Sequence, residues 1–534
     1  MYIIGSHIIT PLGEGVECNY QAVLKGLTTI KRHEDSSLLS EPFQAALFEQ
    51  ELSHNERYTR LEQLCIDCAE VALQQCGIDP SKRTVFILST TKGNIELLQP
   101  KYEIEAISPA YSGKRIAEYF GNQATPIVVS NACTSGVCAQ ITAMRLLQTG
   151  MFDYAVVIGV DLLSAFIISG FNSLKALSDE PCRPYDKDRK GLNLGEAVAC
   201  MVVSRKPVSG CVSMISGNIC NDANHISGPS RTGEGSMRVL KSVVKNFDTD
   251  NIAVINAHGT STLYNDEMES IAIERAGLAD IPVNSLKSIF GHTLGAAGIL
   301  ESLLTIRALK DGIILPTRNF NQSGVSRAIK VSNEIRTTDK KAFIKLMSGF
   351  GGCNAAILYS LEQPASIQPQ QSINIKTIAH QTLNSETDNL ETTYREQVDN
   401  YPKFFKMDKL SRAGFVATEL IAKKAEIHED CAVVIFTSTG SLANDLNYQR
   451  TINDFPSPAL FVYTLPNIVT GEIAIRHHLQ TETSCYLLPS EDWNLMQQIV
   501  ESTAVANNCS QVLYGWLEAY DDHYYAKMKL VVRS

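Results

Sequence analysis

The chain has no long apolar run and no excess of basic residues, and each absence argues against a class of function. No segment approaches the ~20 consecutive apolar residues that a membrane-spanning helix needs. The first residues, Met-Tyr-Ile-Ile-Gly-Ser, lack the basic start and the cleavage site of a secretory signal peptide, so we expect a cytoplasmic protein. With 47 basic and 57 acidic residues, the net charge of −10 argues against nucleic-acid binding as a general function.

The sequence is also poor in cysteine patterns that hold metals. It contains 14 cysteines, but the close pair Cys65-x-x-Cys68 has no second pair near it and lies in an apolar helical run. A structural zinc site needs four suitably spaced ligands. In a reducing cytoplasm the thiols would stay unpaired. The sequence therefore predicts neither a metal site nor a disulfide framework.

What the sequence does contain is a regular alternation of short apolar runs and helical patterns. Such alternation is typical of α/β proteins with buried sheets, and 534 residues allow two or more domains. The polar stretch 362–371 contains two prolines and no periodicity. We therefore predict a long first module, residues 1–365, and a second module, residues 366–534, that follows this linker.

The second module resembles a partial repeat of the first. At a constant offset of 349 residues, Arg57-Tyr-Thr-Arg60-Leu and Lys406-Met-Asp-Lys409-Leu each open a helix that leads to an apolar strand. Aligning Gly136 with Gly471 places Ile468 opposite Cys133, so the second copy is expected to lack a nucleophile. The alternative is that generic strand–helix patterning imitates a repeat.

Cys133 lies in the run Ser-Asn-Ala-Cys-Thr-Ser-Gly that ends at Gly136, between a predicted strand, 126–129, and a predicted helix, 137–148. Free backbone N–H groups and the helix dipole favour a thiolate at such a position. Gly136 would let a substrate carbonyl approach the backbone closely. The alternative is a buried structural cysteine, which is common.

Two histidines flanked by glycine stand out elsewhere in the first module. His258 directly follows the predicted strand 252–255, and His292 lies in the run Lys-Ser-Ile-Phe-Gly-His-Thr-Leu-Gly-Ala-Ala-Gly that begins at Lys287. Either could be an ordinary loop histidine. Because loops at strand ends are favoured places for catalytic groups, the two histidines and Cys133 together suggest nucleophilic thiol chemistry.

Six motifs follow one another along the first module: Gly5…Thr-Pro-Leu-Gly13, the Cys133 segment, Arg183-Pro-Tyr-Asp-Lys-Asp188…Leu-Gly-Glu196, His258-Gly-Thr-Ser-Thr…Asn-Asp266…Glu269, Lys287…Gly-His292…Gly298…Glu301 and Ser348-Gly-Phe-Gly-Gly-Cys-Asn354. Through these motifs, residues 1 to about 362 resemble the elongating β-ketoacyl-[acyl-carrier-protein] synthases, which are condensing enzymes of the thiolase-like fold. The resemblance implies two duplicated βαβαβαββ-type halves, about 1–205 and 206–365, and the C-terminal module would add a third half-like α/β unit.

The resemblance also implies roles for the site residues. Cys133 would accept an acyl chain as a thioester, and the backbone N–H groups of Cys133 and Phe350 would form an oxyanion hole. His258 and His292 would stabilise the enolate left when a malonyl thioester loses carbon dioxide. Lys287 and Glu301 would support His292, and Phe350 would also act as a gate. No cofactor or metal is implied beyond the phosphopantetheine of an acyl carrier protein, which is the expected partner.

The docking of that carrier protein is expected near Arg57 and Arg60, which fall close to the basic helix that the family uses for it. We interpret the charges of Lys187, Arg189 and Lys190 as solvated loop charges.

The C-terminal module resembles ketosynthase-N-like domains found near genes for aryl polyene and flexirubin-type pigments, and we expect it not to catalyse. We predict a homodimer, or an intramolecular pseudo-dimer in which this module takes the place of a partner's first half; a rival is that it only shapes the acyl tunnel. For the whole chain, a non-catalytic chain-length or scaffold subunit and a degradative thiolase, with Cys353 as second cysteine, remain alternatives. Fatty acid, aryl polyene and polyketide pathways also stay open.

Overall fold

The computed structural model describes residues 1–49, 57–99, 101–362 and 373–533. The predicted linker lies outside these ranges apart from Glu362, so the module boundary at residue 365 stays a prediction. Within the described ranges, no helix combines the length and the apolar character needed to cross a membrane.

Three five-stranded mixed sheets share one strand order. From one edge of each sheet to the other, the strands of the unit follow the order third, second, fourth, fifth, first. The third, second and fourth strands are parallel to one another, and the fifth strand is antiparallel to both of its neighbours. The first unit contains Ile127–Val129, Thr84–Ser89, Tyr154–Asp161, Ala197–Ser204 and Tyr2–Thr10. The second contains Pro282–Asn284, Ile252–Asn256, Ala342–Gly349, Cys353–Ser360 and Val212–Asn221. The third contains Thr483–Leu487, Ala432–Thr437, Gln511–Tyr520, His523–Arg533 and Ile375–Asn384.

This repetition confirms the predicted α/β class with two duplicated halves and a third half-like unit. The central strands Thr84–Ser89, Ile252–Asn256 and Ala432–Thr437 are buried at every residue. Parallel strands covered by helices on both faces need such continuous apolar runs, which explains why they were visible in the sequence.

Helices and short elements complete the three units. The α-helices are Val16–Leu24, Arg60–Gln74, Ile104–Ile107, Pro109–Tyr119, Ser135–Thr149, Ala165–Ser173, Glu234–Val244, Leu263–Arg275, Lys287–Phe290, Ala297–Lys310, Leu390–Gln397, Lys409–Ala422, Leu442–Gln449, Pro458–Val462, Ile468–His477 and Trp493–Ala506. The short strands are Gly13–Glu14, Lys31–His33, Phe43–Ala46, Leu194–Gly195, Ile313–Ile314, Lys330–Val331 and Arg336–Thr337.

The first and second units pack through the helices Ser135–Thr149 and Ala297–Lys310. A Cβ atom added at Gly136 would lie 2.8 Å from the carbonyl oxygen of Gly295 and 3.1 Å from the nitrogen of Gly298. Gly136 therefore permits a close helix crossing. The expectation that it makes room for a substrate carbonyl is wrong, because the second unit already occupies that space.

The third unit docks on the first through equivalent elements. Its edge strand Thr483–Leu487 pairs antiparallel with Ile127–Val129, with Tyr486 opposite Val129. Its helix Trp493–Ala506 contacts the helix Ser135–Thr149. In both units these elements are the third strand and the helix that follows it, so the contact has the form of a two-fold interface within one chain.

The sheet order corrects the alignment of the third unit. The helix Ile468–His477 lies between the second and third strands, where the first unit has Pro109–Tyr119. Strand register pairs Ser89 with Val129 in the first unit and Thr437 with Leu487 in the third. Four residues after Val129 comes Cys133, and four after Leu487 comes the exposed Glu491. Placing Ile468 opposite Cys133 is therefore wrong, although the matching position still has no thiol.

Candidate active site

Cys133 sits in a tight turn between the third strand and its helix. The 3₁₀ turn Ala132–Thr134 leads directly into Ser135–Thr149, and Ala132 has φ 50°, a left-handed conformation that is unfavourable for a residue with a side chain. Leu294, in the corresponding turn of the second unit, has φ 49°. Such backbone strain costs about 1–3 kcal/mol and is typical of functional turns.

The structure brings Cys133, His258 and His292 together. The cysteine sulfur and one ring nitrogen of each histidine all lie within 4.8 Å of one another, and all three residues are buried. The imidazole centroids are 5.2 Å apart with an interplanar angle of 80°. Residues from two different units thus form one cluster, as the sequence motifs predict.

Hydrogen bonds assign the protonation of His292. Its Nδ1 accepts the backbone N–H of Leu294 at 3.3 Å, which places the ring proton on Nε2. Among the described residues, neither Nε2 of His292 nor Nδ1 of His258 has a hydrogen-bond partner. A buried polar atom without a partner costs free energy, so these atoms mark a place for a polar ligand.

Two buried carboxylates hold the His258 loop. Glu269 accepts the backbone N–H of His258 at 2.7 Å and of Gly259 at 2.8 Å. Asp266 accepts the N–H of Thr260 at 2.9 Å. The loop therefore owes its shape to two carboxyl acceptors in the helix Leu263–Arg275 that follows it.

Arg189 belongs to this support and is not a solvated loop charge. It is 5 % exposed, lies 3.8 Å from Asp266, and donates to the carbonyls of Leu263 and Gly324 at 3.0 and 2.9 Å. The interpretation of Arg189 as a solvated charge is wrong, whereas Lys187 and Lys190 are exposed.

Beneath the histidines lies a buried cluster of two lysines and one glutamate. Lys287 Nζ contacts Glu301 Oε1 at 2.8 Å, as the motif pairing suggests. Lys345 Nζ contacts Glu301 Oε2 at 2.5 Å. Lys345 stands in none of the six sequence motifs, although a single lysine inside the otherwise uncharged strand Ala342–Gly349 is a visible signal.

Burial determines the resting protonation of the cluster. It raises the pKa of Cys133 to about 12, with Lys287 opposing the shift. Burial first, and then Lys287 and Lys345, lower the pKa of both His258 and His292 well below the ordinary value. Contrary to the expectation from the helix start, the resting site holds a protonated thiol beside two neutral imidazoles.

A cysteine with two histidines is also a donor set that zinc accepts. Here, however, Lys287 and Lys345 outnumber Glu301 directly below the donors. Two buried ammonium groups would repel a divalent cation at short range. The local charge therefore favours a reaction that builds negative charge over one that needs a resident dication.

The turn Phe350–Gly352 covers the Cys133 turn. A Cβ atom added at Gly349 would lie 3.2 Å from the Cys133 nitrogen, so the two backbones stack closely. The half-buried Phe350 ring stacks on Phe171 with centroids 6.4 Å apart. This places Phe350 beside the thiol, in a position suited to both predicted roles.

The third unit reaches this turn, which the sequence did not predict. Asn467 Nδ2 donates to the carbonyl oxygen of Phe350 at 2.8 Å. A Cβ atom added at Gly471 would lie 2.7 Å from the carbonyl oxygen of Gly351. The segment at the start of the helix Ile468–His477 therefore fixes the backbone next to Cys133.

A small, mostly apolar cavity of about 20 Å³ adjoins Cys133. Its walls include Thr91, Lys92, Phe171 and Phe350 together with Phe461 and Leu465 of the third unit. Lys92 donates to Asp445 Oδ1 and to the carbonyl of Thr464, both at 2.6 Å, and is buried. A buried ion pair between the first and third units thus forms part of the cavity wall.

Two family descriptions match the chain. The N-terminal domain of β-ketoacyl synthases matches residues 1–208, and the C-terminal domain matches residues 212–321. Together they cover well over half of the chain. With the fold and the cluster above, they show that the chain belongs to the β-ketoacyl synthase family.

Among its relatives is the 3-oxoacyl-[acyl-carrier-protein] synthase 2 of Vibrio cholerae, 27% identical over 404 residues that cover 67% of this chain and 98% of the relative. The Rhizobium meliloti synthase of the same name is 34% identical over 250 residues, or 43% of this chain and 59% of the relative. Both relatives are named as 3-oxoacyl-[acyl-carrier-protein] synthases, in agreement with the family that the motifs indicate.

Solved structures share the fold. The ketosynthase ApeO in complex with its chain length factor ApeC from Xenorhabdus doucetiae aligns with a TM-score of 0.61 at 24% identity, over 68% of this chain and 98% of that chain. The PfaC keto synthase–chain length factor aligns with 100% of this chain and 78% of its own, with a TM-score of 0.82 at 13% identity. Because the second match covers the whole chain, it shows that the fold of all three units together occurs in a solved structure.

Proposed function

We propose that this chain catalyses the decarboxylative Claisen condensation of an acyl group on Cys133 with malonyl-[acyl-carrier protein]. The product is a 3-oxoacyl-[acyl-carrier protein] in fatty acid, aryl polyene or polyketide biosynthesis. The carrier's phosphopantetheine supplies both thioesters, and the reaction uses no further cofactor and no metal. A cytoplasmic location follows from this role as a prediction.

In the first half-reaction, the sulfur of Cys133 attacks the carbonyl carbon of an acyl thioester. Because the thiol rests protonated, its proton must leave as the S–C bond forms, and a neutral imidazole within 4.8 Å can take it. The backbone N–H groups of Cys133 and Phe350 stabilise the tetrahedral oxyanion. The carrier's sulfur then leaves and takes up the proton.

In the second half-reaction, a malonyl thioester loses carbon dioxide as its C–C bond breaks. The electron pair moves onto the thioester as an enolate, whose oxygen lies within reach of the imidazole N–H groups of His258 and His292. The enolate carbon attacks the acyl group on Cys133, a new C–C bond forms, and the cysteine sulfur leaves. Donors that meet the charge only as it develops lower this barrier most.

The convergence of three buried reactive groups carries this proposal. A chain-length or scaffold subunit is the alternative, but such a subunit has no need for a thiol and two histidines within 4.8 Å of one another. A degradative thiolase would need Cys353 as a base. Cys353 instead accepts the Thr134 hydroxyl at 3.3 Å, and its hydrogen bond with Cys138, followed by burial, raises its pKa well above the ordinary value. Both alternatives therefore explain fewer of the buried groups.

Replacing the nucleophile tests the proposal. Cys133→Ala should abolish condensation of acyl- and malonyl-carrier protein, with an unchanged melting temperature and circular dichroism spectrum. Cys485→Ala, at a buried cysteine on the equivalent strand of the third unit, is the matched control and should retain activity. Persistent condensation by Cys133→Ala would refute the assignment.

We further propose that the third unit takes the place of a partner's first half. Its strand Thr483–Leu487 covers the edge strand Ile127–Val129, which a second copy would otherwise need for pairing. It also supplies Asn467, Phe461 and Leu465 to the site. Light scattering should therefore find no dimer joined through the first units, and a dimer joined there would overturn the pseudo-dimer.

A further inference from the structure

Lys345 is a second buried lysine at the candidate site for which the proposed reaction gives no role. Its ammonium group contacts four oxygen atoms: Glu301 Oε2, Asn256 Oδ1 at 2.7 Å, and the carbonyl oxygens of Asn256 and Ala257 at 3.4 and 3.3 Å. Asn256 is in turn fixed by its hydrogen bond to Asn284. A buried ammonium group is costly unless acceptors surround it, and the fold supplies four oxygen acceptors to Lys345.

The charges around Lys345 do not cancel. Glu301 is shared between Lys345 and Lys287, so two positive groups face one carboxylate. Glu269, another carboxylate that acts on Lys345, is occupied by the backbone N–H groups of His258 and Gly259 and by the Tyr185 hydroxyl. Burial raises the pKa of Glu269, which weakens it as a counter-charge, and the positive charges of Lys287 and Lys345 act on both imidazoles.

The two lysines are also placed symmetrically with respect to the histidine loops. Asn256 and Ala257, which Lys345 holds, directly precede His258 in the sequence. Lys287 begins the short helix Lys287–Phe290 that leads to His292. Glu301 ties both lysines together, so one buried cluster fixes both loops.

We propose that Lys345 is a positioning residue for the decarboxylation step, which holds the His258 loop in place and keeps both imidazoles neutral beneath the thioester oxygen. This inference rests on the proposed function. An imidazolium here would pair with the malonyl carboxylate and stabilise the substrate before carbon dioxide leaves. Neutral donors instead act on the enolate, where charge appears only during the reaction.

The effect of Lys345 on the histidines agrees with this role. After burial, the positive charges of Lys287 and Lys345 contribute to the lowered pKa of His258 and of His292. Burial lowers the pKa of Lys345 itself to about 8, while Glu301 opposes and Lys287 reinforces the shift. When Lys345 is replaced, the imidazoles should become protonated at a higher pH, so the decline of decarboxylation on the acid side should begin at a higher pH than in the wild type.

The first test compares Lys345→Met with Lys340→Met in the full chain. Lys340 donates to the carbonyl of Ile252, at the opposite end of the strand Ile252–Asn256, so the control removes one charge without touching the histidines. Carbon dioxide release from malonyl-carrier protein, acyl loading of Cys133, and imidazole titration by NMR on histidine-labelled protein are measured separately.

For Lys345→Met we expect carbon dioxide release to fall about tenfold or more, which corresponds to a clearly measurable change in barrier. Acyl loading should change much less, and at least one active-site imidazole should titrate at higher pH. Equal losses in both half-reactions with unchanged imidazole titration would reduce Lys345 to a structural role. If the wild type neither loads nor decarboxylates, the proposed function fails, but the titration still tests the action of Lys345.

Chemical rescue gives a second, independent test. Lys345→Ala leaves Glu301, Asn256 and Ala257 as an oxygen cage that can accept a small cation. Methylammonium should restore carbon dioxide release in a saturable manner and leave the wild type unaffected. A folded Lys345→Ala protein that decarboxylates at the wild-type rate, or that methylammonium does not restore, would contradict the proposal.

Discussion

The first and third units share one scaffold but use the start of the equivalent helix in opposite ways. The helix Ser135–Thr149 begins without a side-chain cap, next to Cys133. The helix Trp493–Ala506 begins with Asp492, whose carboxylate accepts the N–H of Leu495 at 3.0 Å. An N-cap stabilises a helix by about 1 kcal/mol and occupies the N–H groups that chemistry would need. One unit therefore keeps its helix start open for reaction, and the other uses it for stability.

The first and third units also share a buried acidic side chain that accepts backbone N–H groups just after the second strand. In the first unit, Asp161 accepts the Thr91 N–H and the Thr90 hydroxyl, at 3.0 and 2.8 Å. In the third unit, Glu518 accepts the Ser438 N–H at 2.6 Å in the same place after the second strand. Asp161 additionally accepts the Gly295 N–H at 2.7 Å, three residues after His292. The same anchor is thus structural in one unit and linked to the reactive cluster in the other.

The largest difference between the first and third units should appear when Asp161 and Glu518 are each replaced by the corresponding neutral amide. Asp161→Asn places an amide NH₂ group against the N–H donors of Thr91 and Gly295, which moves the loops beside Cys133. A misplacement of about 1 Å can cost about a hundredfold in rate, and we expect a loss of this order in kcat. Since burial raises the pKa of Asp161 to about 6, wild-type activity should also fall as the pH drops below about 6.

Glu518→Gln is the matched change in the third unit. It should lower the free energy of unfolding by about 1–3 kcal/mol, the cost of an unsatisfied buried donor, with kcat close to the wild-type value. Steady-state kinetics and thermal unfolding of both variants check this pair. An equal loss of kcat in both would remove the distinction between the units.

A smaller effect is expected where the third unit touches the reactive turn. Gly471→Ala would push a methyl group against the Gly351 carbonyl and displace the Phe350 turn. We expect kcat to fall about tenfold, consistent with a partly disturbed oxyanion hole. The control Gly414→Ala crowds Val469 and Leu517 inside the third unit and should lower only the melting temperature.

If Gly414→Ala reduced kcat as much as Gly471→Ala, the effect would be one of general stability. The contact between Asn467 and Phe350 would then have no specific part in the reaction.

Substitution of a residue in the cavity wall should have the smallest effect on rate but should change the length of the acyl product. Phe461 contacts Phe166 and Phe171 and lines the cavity beside Cys133. Phe461→Ala should lengthen the acyl groups in the product, measured by mass spectrometry, while it costs about 3–5 kcal/mol of stability. Phe436→Ala, in the buried core of the third unit, should cost similar stability without changing chain length. An unchanged product distribution in folded Phe461→Ala would show that the third unit does not limit the acyl chain.

Much of the fold and the centre of the site could be predicted because the relevant patterns are local. The buried strands are continuous apolar runs, and Cys133, His258 and His292 stand in short glycine-rich motifs. Aligning Gly136 with Gly471 fails because each glycine stands near the start of an apolar helix, and the sequence alone does not show which strand that helix follows. The helix Ile468–His477 precedes the third strand of its unit, so Glu491, not Ile468, corresponds to Cys133.

The remaining features depend on contacts between residues far apart in the sequence. Arg189 looks like a loop charge until Asp266 and two carbonyls surround it. Asn467 lies 117 residues from Phe350, and Lys345 lies 44 residues from Glu301. Neither pair is visible in a local pattern, because the docking of whole units decides which polar groups meet.

The central claim is that only the first unit carries the acyl group. It is tested most directly by incubating the wild-type chain with acyl-carrier protein and mapping the modified peptides by mass spectrometry. We predict one acyl thioester, located on Cys133, and none on the seven other cysteines that the structure places at buried positions of residues 1–362 or on Cys431, Cys485 and Cys509. An acyl group on another cysteine, or an unmodified Cys133 in a chain that still condenses, would contradict the account.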